Sequence, residues 1–127
     1  MTKPPSRILL VDDDHLFAEV IQNALTLFGY AVVRASDGKE ALKLYEPQTF
    51  HLVITDLIMP DMEGVELIMK LQQRDPSVRV IAMSGGGRNN PEAYLAVAER
   101  IGAVKTLAKP FPLETLRVAV AECLDES

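Results

Sequence analysis

The sequence has a single cysteine, Cys123, and no tryptophan among its 127 residues. One cysteine excludes an intrachain disulfide and is typical of a protein that folds in a reducing cytoplasm. No apolar run is long enough for a membrane span and the start lacks a signal-peptide pattern, so membrane insertion is not expected. Acidic residues outnumber basic ones, and the net charge of −5 disfavours direct contact with nucleic acid.

Hydrophobic residues make up 48% of the chain and charged residues 24%, which is typical of a globular protein. The length predicts one domain. We expect residues 7–124 to form this domain, residues 1–6 a disordered tail and residues 125–127 a C-terminal tail. The sequence is compatible with a stand-alone domain or with the front of a longer protein.

Short apolar runs alternate with amphipathic segments along the chain, a pattern that predicts five β-α units. Helical crossovers between strands produce a parallel sheet, so the fold class is doubly wound α/β. Asp14 is the expected N-cap of the first helix, and Asp37 with Glu40 resembles a capping box. The predicted strands are residues 8–11, 31–35, 52–56, 78–83 and 103–108, and the predicted helices are residues 14–28, 37–45, 63–74, 91–101 and 112–124.

Polar side chains follow four of these strands: Asp12 and Asp13, Asp56, Ser84 and Lys109. The carboxyl ends of parallel strands form the edge where ligands bind. Two carboxylates ~4 Å apart repel by about 4 kcal/mol at an effective dielectric of 20, so such a cluster favours cation capture. Mg²⁺ suits carboxylate, water and phosphate oxygens. Asp56 is a candidate nucleophile for aspartyl-phosphate chemistry.

Four motifs carry a family resemblance: LVDDD at 10–14, TDLIMPDMEG at 55–64, MSG at 83–85 and AKPF at 108–111. Together they resemble the receiver domain of two-component response regulators, the CheY-like superfamily, over essentially the whole chain. The resemblance implies a flavodoxin-like fold with a five-stranded parallel sheet in the order 2-1-3-4-5. It also implies a phosphoacceptor that is not a conventional enzyme but phosphorylates and dephosphorylates itself.

The resemblance assigns the acidic residues to phosphate and metal. Asp56 would accept a phosphoryl group from a histidine kinase or a histidine phosphotransfer protein. Asp13 would ligate Mg²⁺ directly and Asp12 largely through water. Asp56 and the backbone carbonyl of Ile58 would complete the protein's share of the metal shell.

The resemblance assigns the other two side chains to the phosphoryl oxygens: Ser84 would donate a hydrogen bond to one, and Lys109 would pair with another. The Lys109–Pro110 bond would be cis. Phosphorylation would change a surface for a downstream target protein or an output domain, and the resemblance is compatible with a homodimer.

Two features depart from the family pattern or extend it. Thr106 stands where the family has an aromatic residue whose rotation reports phosphorylation. Output through the loop at residues 85–90 is therefore a hypothesis, in which phosphorylation orders the loop by drawing Ser84 inward. A flexible turn without function is the alternative, because Gly85 begins a run of three glycines.

Other function classes fit the sequence less well. A haloacid-dehalogenase-type phosphatase needs a second acid two residues after Asp56, where this chain has Ile58. A flavodoxin-like redox protein needs a Ser/Thr-rich loop after the first strand, and a P-loop needs a Gly-Lys-Ser/Thr ending that the segment after Ser84 lacks. The remaining alternative is a receiver-fold scaffold or adaptor that works without phosphorylation.

Overall fold

A computed structural model of the chain describes residues 4–59, 62–85 and 91–124. Within these residues, five parallel strands form one sheet in the order β2-β1-β3-β4-β5. This confirms the doubly wound α/β fold and the strand order that the resemblance implied. The strands are β1 (Arg7–Val11), β2 (Ala31–Ala35), β3 (Leu52–Asp56), β4 (Val80–Ser84) and β5 (Lys105–Ala108). The helices are α1 (His15–Leu27), α2 (Gly38–Leu44), α3 (Gly64–Arg74), α4 (Pro91–Arg100) and α5 (Leu113–Cys123).

Two strands begin later than the sequence predicts. Val78 closes a turn by donating its N–H to the Asp75 carbonyl, so β4 starts at Val80. Ala103 donates to the Ala98 carbonyl as part of the end of α4, which delays β5 until Lys105. In both cases an apolar residue belongs to the turn before the strand, and hydrophobicity alone cannot separate the two.

The predicted helix starts hold, with one correction. The Asp14 carboxylate accepts from the N–H groups of Leu16 and Phe17, as expected of an N-cap. Asp37 caps α2 by accepting from the Glu40 N–H at 2.8 Å. Glu40 does not complete a capping box, because its carboxylate accepts from the N–H of Ser36, at 2.7 Å, one residue before the position that the motif requires.

The core lies on both faces of the sheet, as the continuous apolar strands predict. Helices α2, α3 and α4 cover one face and α1 and α5 the other. Every residue of β3 and β4 is buried, whereas in β5 only Leu107 is, which agrees with its predicted position at the edge of the sheet. No helix among the described residues is long and apolar enough to span a membrane.

The methionines around the β3–α3 connection pack differently from one another. Met59 and Met62 are buried in the core, as expected from their apolar character. Met69, by contrast, is 49% exposed on α3, although an apolar side chain favours burial. Glu66 and Lys70 on the same helix form an i,i+4 ion pair at 3.2 Å.

Candidate functional site

Three carboxylates meet at the carboxyl edge of the sheet. Asp56 is the last residue of β3, and Asp12 and Asp13 directly follow β1, its neighbour in the sheet. Carboxylate oxygens of all three lie within 4.8 Å of one another. Asp12 and Asp56 are buried and Asp13 is exposed. We call these three residues the acidic cluster.

Lys109 brings a positive charge to the acidic cluster from the end of β5. Its Nζ lies 2.9 Å from Asp12 Oδ2 and 3.6 Å from Asp56 Oδ2, and its side chain is only 13% exposed. The ammonium therefore forms a hydrogen bond with Asp12 and sits beyond hydrogen-bonding distance of Asp56. When all three carboxylates are ionised, one lysine leaves two negative charges uncompensated.

The surroundings of Asp56 set its charge. Burial raises the pKa of this carboxyl to about 6, the Lys109 ammonium opposes that rise and Asp12 adds to it. The backbone N–H groups of Ile58 and Leu57 also lower the pKa, and Leu57 N lies 2.9 Å from Asp56 Oδ1. Asp56 is thus mostly ionised at neutral pH, but it holds its charge against a desolvation cost.

Ser84 adds a buried hydroxyl to the same edge of the sheet. It is the last residue of β4, in the register position after the Asp56–Met83 pair, and it is fully buried. Its Oγ has no hydrogen-bond partner within the described part of the chain. Because buried hydroxyl groups are nearly always hydrogen-bonded, Ser84 is a candidate donor to a bound polar group.

Two glycines let backbone segments approach the site closely, and sequence reasoning did not single them out for this role. A Cβ on Gly64, at the start of α3, would lie 2.7 Å from Leu57 Cα. Gly85 has φ +152°, and a Cβ there would lie 2.7 Å from the Lys109 carbonyl oxygen. Gly64 therefore packs α3 against the end of β3, and Gly85 fits the turn after Ser84 beside Lys109.

Other sequence expectations have different outcomes. The Lys109–Pro110 bond is cis, as expected. Ile58 lies in the connection after Asp56, and its N–H lowers the pKa of that carboxyl. A metal-ligand role for the Ile58 carbonyl stays a prediction. Thr106 is half-buried in β5 opposite Ala82. The output hypothesis for residues 85–90 concerns a segment of which only residue 85 is among the described residues.

The donor set fits a hard divalent cation. Carboxylate oxygens of the acidic cluster are the ligands that Mg²⁺ uses, and the exposed Asp13 leaves a side open to water and to a phosphoryl oxygen. The uncompensated negative charge favours a cation, and the Ser84 hydroxyl supplies a donor for a neighbouring anionic oxygen. Chemically, the arrangement can hold a cation and a phosphoryl group next to one carboxylate.

Comparisons with known proteins identify one family. A family model described as "Response regulator receiver domain" matches residues 8–121. The chain is 34% identical over 127 residues to transcriptional regulatory protein GlrR of Escherichia coli, covering all of this chain but 28% of that protein. It is 29% identical to sporulation initiation phosphotransferase F of Bacillus subtilis, covering 93% of both chains.

Solved structures give the same result. A response regulator receiver domain protein from Clostridium thermocellum has a TM-score of 0.87 at 26% identity, covering 94% of both chains. A CheY-like receiver domain protein from Methanospirillum hungatei JF-1 has a TM-score of 0.83 at 30% identity, covering 95% of this chain and 94% of that one.

Proposed function

Because the chain belongs to the response regulator receiver domain family, we propose that it is a phosphoacceptor switch in which Asp56 receives a phosphoryl group. The donor is a histidine kinase or a histidine phosphotransfer protein. The observation that carries this proposal is the orphaned Ser84 hydroxyl, which is buried at the carboxyl edge of the sheet where Asp56 and Lys109 also lie. A phosphoryl group on Asp56 would give that hydroxyl an acceptor.

In the proposed transfer, a carboxylate oxygen of Asp56 forms a bond to phosphorus while the bond from phosphorus to the donor's imidazole nitrogen breaks. That nitrogen keeps the electron pair, so a ring protonated on its other nitrogen leaves as neutral imidazole. The pKa of about 6 leaves Asp56 mostly ionised, and thus nucleophilic, at neutral pH. The Leu57 N–H holds Oδ1 in position, which orients the carboxylate for attack.

Lys109 and Ser84 have separate roles on the transferred group. Lys109 Nζ starts 3.6 Å from Asp56 Oδ2 and moves onto a phosphoryl oxygen, where its charge stabilises the negative charge of the transition state. The Ser84 hydroxyl donates a hydrogen bond to a second phosphoryl oxygen. Neither residue needs to become covalently attached, since phosphoryl transfer is catalysed mainly by positioning and charge.

Mg²⁺ is the proposed cofactor, held by Asp13, by Asp12 largely through water, by Asp56 and by the Ile58 carbonyl. When bound, it neutralises charge that develops on the phosphoryl oxygens during transfer. The chain itself holds the carboxylate oxygens in place before the reaction. The Asp14 N–H donates to Asp12, and the Leu57 N–H donates to Asp56.

The proposed partners follow from the same chemistry. A phosphodonor reaches Asp56 from the open side of the acidic cluster, and phosphorylation changes a surface for a target protein or an output domain. The chain spans 28% of the length of GlrR, so it is proposed to act as the receiver part, residues 7–124, in whatever assembly carries it. A cytoplasmic location is proposed because the described cysteine, Cys123, is free and buried.

Beryllofluoride, which mimics a phosphoryl group on a carboxylate, tests the proposal in the presence of Mg²⁺. We expect wild type to bind it with shifts in the backbone NMR signals around residues 12, 56, 84 and 109, and Asp56→Asn to show none. Glu99→Gln, at an exposed carboxylate near the C-terminal end of α4, serves as the control and should bind like wild type. Absence of binding by wild type would instead favour the phosphorylation-independent scaffold.

A further inference from the structure

Phe17 contacts the catalytic lysine although it lies on a helix outside the acidic cluster. The Lys109 Nζ sits 4.2 Å from the centroid of the Phe17 ring. On the other side of Pro110, Phe111 packs against the same ring at a centroid distance of 5.9 Å and an interplanar angle of 89°. One aromatic side chain of α1 thus contacts both residues that flank Pro110.

The contact belongs to a closed circuit of interactions. Asp12 Oδ1 accepts from the Asp14 N–H at 2.9 Å, and the Asp14 carboxylate accepts from the Phe17 N–H at 3.1 Å. The Phe17 ring then attracts the Lys109 ammonium, which donates back to Asp12 Oδ2 at 2.9 Å. The first turn of α1 is therefore connected to Asp12 in two ways, through the Asp14 N–H and through the Lys109 ammonium.

A ring face suits a lysine that must change partners. The face of an aromatic ring attracts a cation through its quadrupole but accepts no strong hydrogen bond and carries no charge. A carboxylate in the same place would hold the ammonium by its N–H groups and compete with an incoming phosphoryl oxygen. The ring can restrict where the ammonium lies while leaving its N–H donors available.

We infer that Phe17 is a positioning residue that holds Lys109 poised between Asp12 and the oxygen of the phosphoryl group on Asp56. The effect on the reaction rests on the proposed function, whereas the placement of Lys109 by the ring does not depend on it. Removing the ring takes away the contact that restricts where the ammonium lies, and the lysine is then in place for the phosphoryl oxygen less often. The contribution of a partly desolvated cation–π contact corresponds to a rate about threefold to tenfold lower.

The placement is tested by NMR on the metal-free protein. Protons held over a ring face resonate upfield, so the ε-methylene protons of Lys109 should be shifted upfield in wild type. Phe17→Tyr keeps the ring and should keep the shift, whereas Phe17→Leu should lose it. Phe17→Met replaces Phe17→Leu if urea unfolding shows that the leucine variant does not fold. An unshifted Lys109 in wild type overturns the inference.

The effect on the reaction is tested in the presence of Mg²⁺ with acetyl phosphate, a small donor that needs no protein partner. We expect Phe17→Leu to be phosphorylated about threefold to tenfold more slowly than wild type and Phe17→Tyr within about twofold of it. Leu16→Ala, on the same turn but 78% exposed, should match wild type. Equal rates for Phe17→Leu and wild type, or equal losses for the leucine and tyrosine variants, would overturn the inference.

The two measurements separate failure of the inference from failure of the proposed function. If wild type accepts no phosphate from acetyl phosphate, the proposed function fails. The Lys109 proton shifts then still decide whether Phe17 positions the ammonium.

Discussion

Asp56 is ionised where burial opposes its charge, and this makes the metal-free protein less stable at neutral pH. Its pKa is about 6 in the folded state against 3.8 as the ordinary value. A raised pKa means that the folded state binds the proton more tightly, so the contribution of Asp56 to stability is greatest below pH 4 and is lost as pH rises through 6. Asp56→Asn removes the charge and should stabilise the metal-free protein at pH 7–8 by roughly 1–3 kcal/mol.

Urea unfolding of wild type and Asp56→Asn between pH 4 and pH 8, with a chelator present, measures this effect. The stability difference between them should grow in favour of the variant from pH 4 to pH 6 and then level off. Gln73→Ala, at an exposed position of α3, is the control, because neither glutamine nor alanine titrates and its difference should stay flat. A metal-free Asp56→Asn that is less stable than wild type at pH 7 would contradict this account.

Two buried hydroxyl groups on adjacent strands should respond oppositely to removal. Ser84 Oγ has no partner, so Ser84→Ala removes an unsatisfied buried group and should leave stability unchanged or raise it by about 1 kcal/mol. Thr55 Oγ1 donates to the Asp56 carbonyl at 2.9 Å, so Thr55→Val should lower stability by about 1 kcal/mol or more. Urea midpoints at pH 7 without metal compare the two variants. A loss of about 2 kcal/mol or more in Ser84→Ala is the cost expected for deleting a hydrogen-bonded buried hydroxyl, so it would show that Oγ has a hydrogen-bond partner.

At the scale of elements, the sequence predicts every strand and helix because each has a clear period or a clear stop. Asp14 and Asp37 mark helix starts because each accepts local N-cap hydrogen bonds, which residue type alone is enough to predict. The errors arise where hydrophobicity alone does not determine a residue's place. Val78 and Ala103 are apolar but belong to turns.

The junction between β3 and α3 depends on the missing side chain of Gly64. Alanine in a helix is ordinarily about 1 kcal/mol more stable than glycine, so the usual substitution would stabilise α3. Here a Cβ would lie 2.7 Å from Leu57 Cα, and backbone on both sides cannot yield without moving the end of β3. Gly64→Ala should therefore destabilise the protein by about 2 kcal/mol or more.

An exposed position on α3 supplies the reference for this prediction. Gln73 faces solvent in the same helix, and Gln73→Gly should be less stable than Gln73→Ala by about 1 kcal/mol, which is the ordinary sign. Chemical denaturation of the three variants measures both differences. A Gly64→Ala protein as stable as wild type would show that the junction can widen without cost.

At the scale of the whole molecule, the topology explains why the site could be predicted and how far. Strand ends converge in a parallel sheet, so residue type and strand position were enough to bring Asp12, Asp56 and Lys109 together. The sequence could not predict that Lys109 binds Asp12 more closely than Asp56. Nor could it reveal the Phe17 contact, because a phenylalanine on a helix is normally a core residue and its neighbour here comes from 92 positions along the chain.

The acidic cluster links metal binding to the stability of the whole fold. Ions that bind the folded state alone stabilise it by about 2.7 kcal/mol at a hundred times their dissociation constant. We expect Mg²⁺ to raise the melting temperature of wild type, with a midpoint that moves upward at each tenfold increase in concentration. Removing Mg²⁺ with a chelator should reverse the shift, because Mg²⁺ binding makes and breaks no covalent bond in the protein.

The exposed member of the cluster distinguishes site binding from general screening. Asp13→Asn lowers the negative charge of the cluster without disturbing the buried Asp12–Lys109 pair, so it should abolish most of the Mg²⁺-dependent shift. Na⁺ at matched ionic strength should shift the melting temperatures of wild type and of the variant by similar amounts, because screening acts on both alike. A shift of equal size in wild type and in Asp13→Asn would place the Mg²⁺ effect outside the acidic cluster and leave the two uncompensated charges without a binding role.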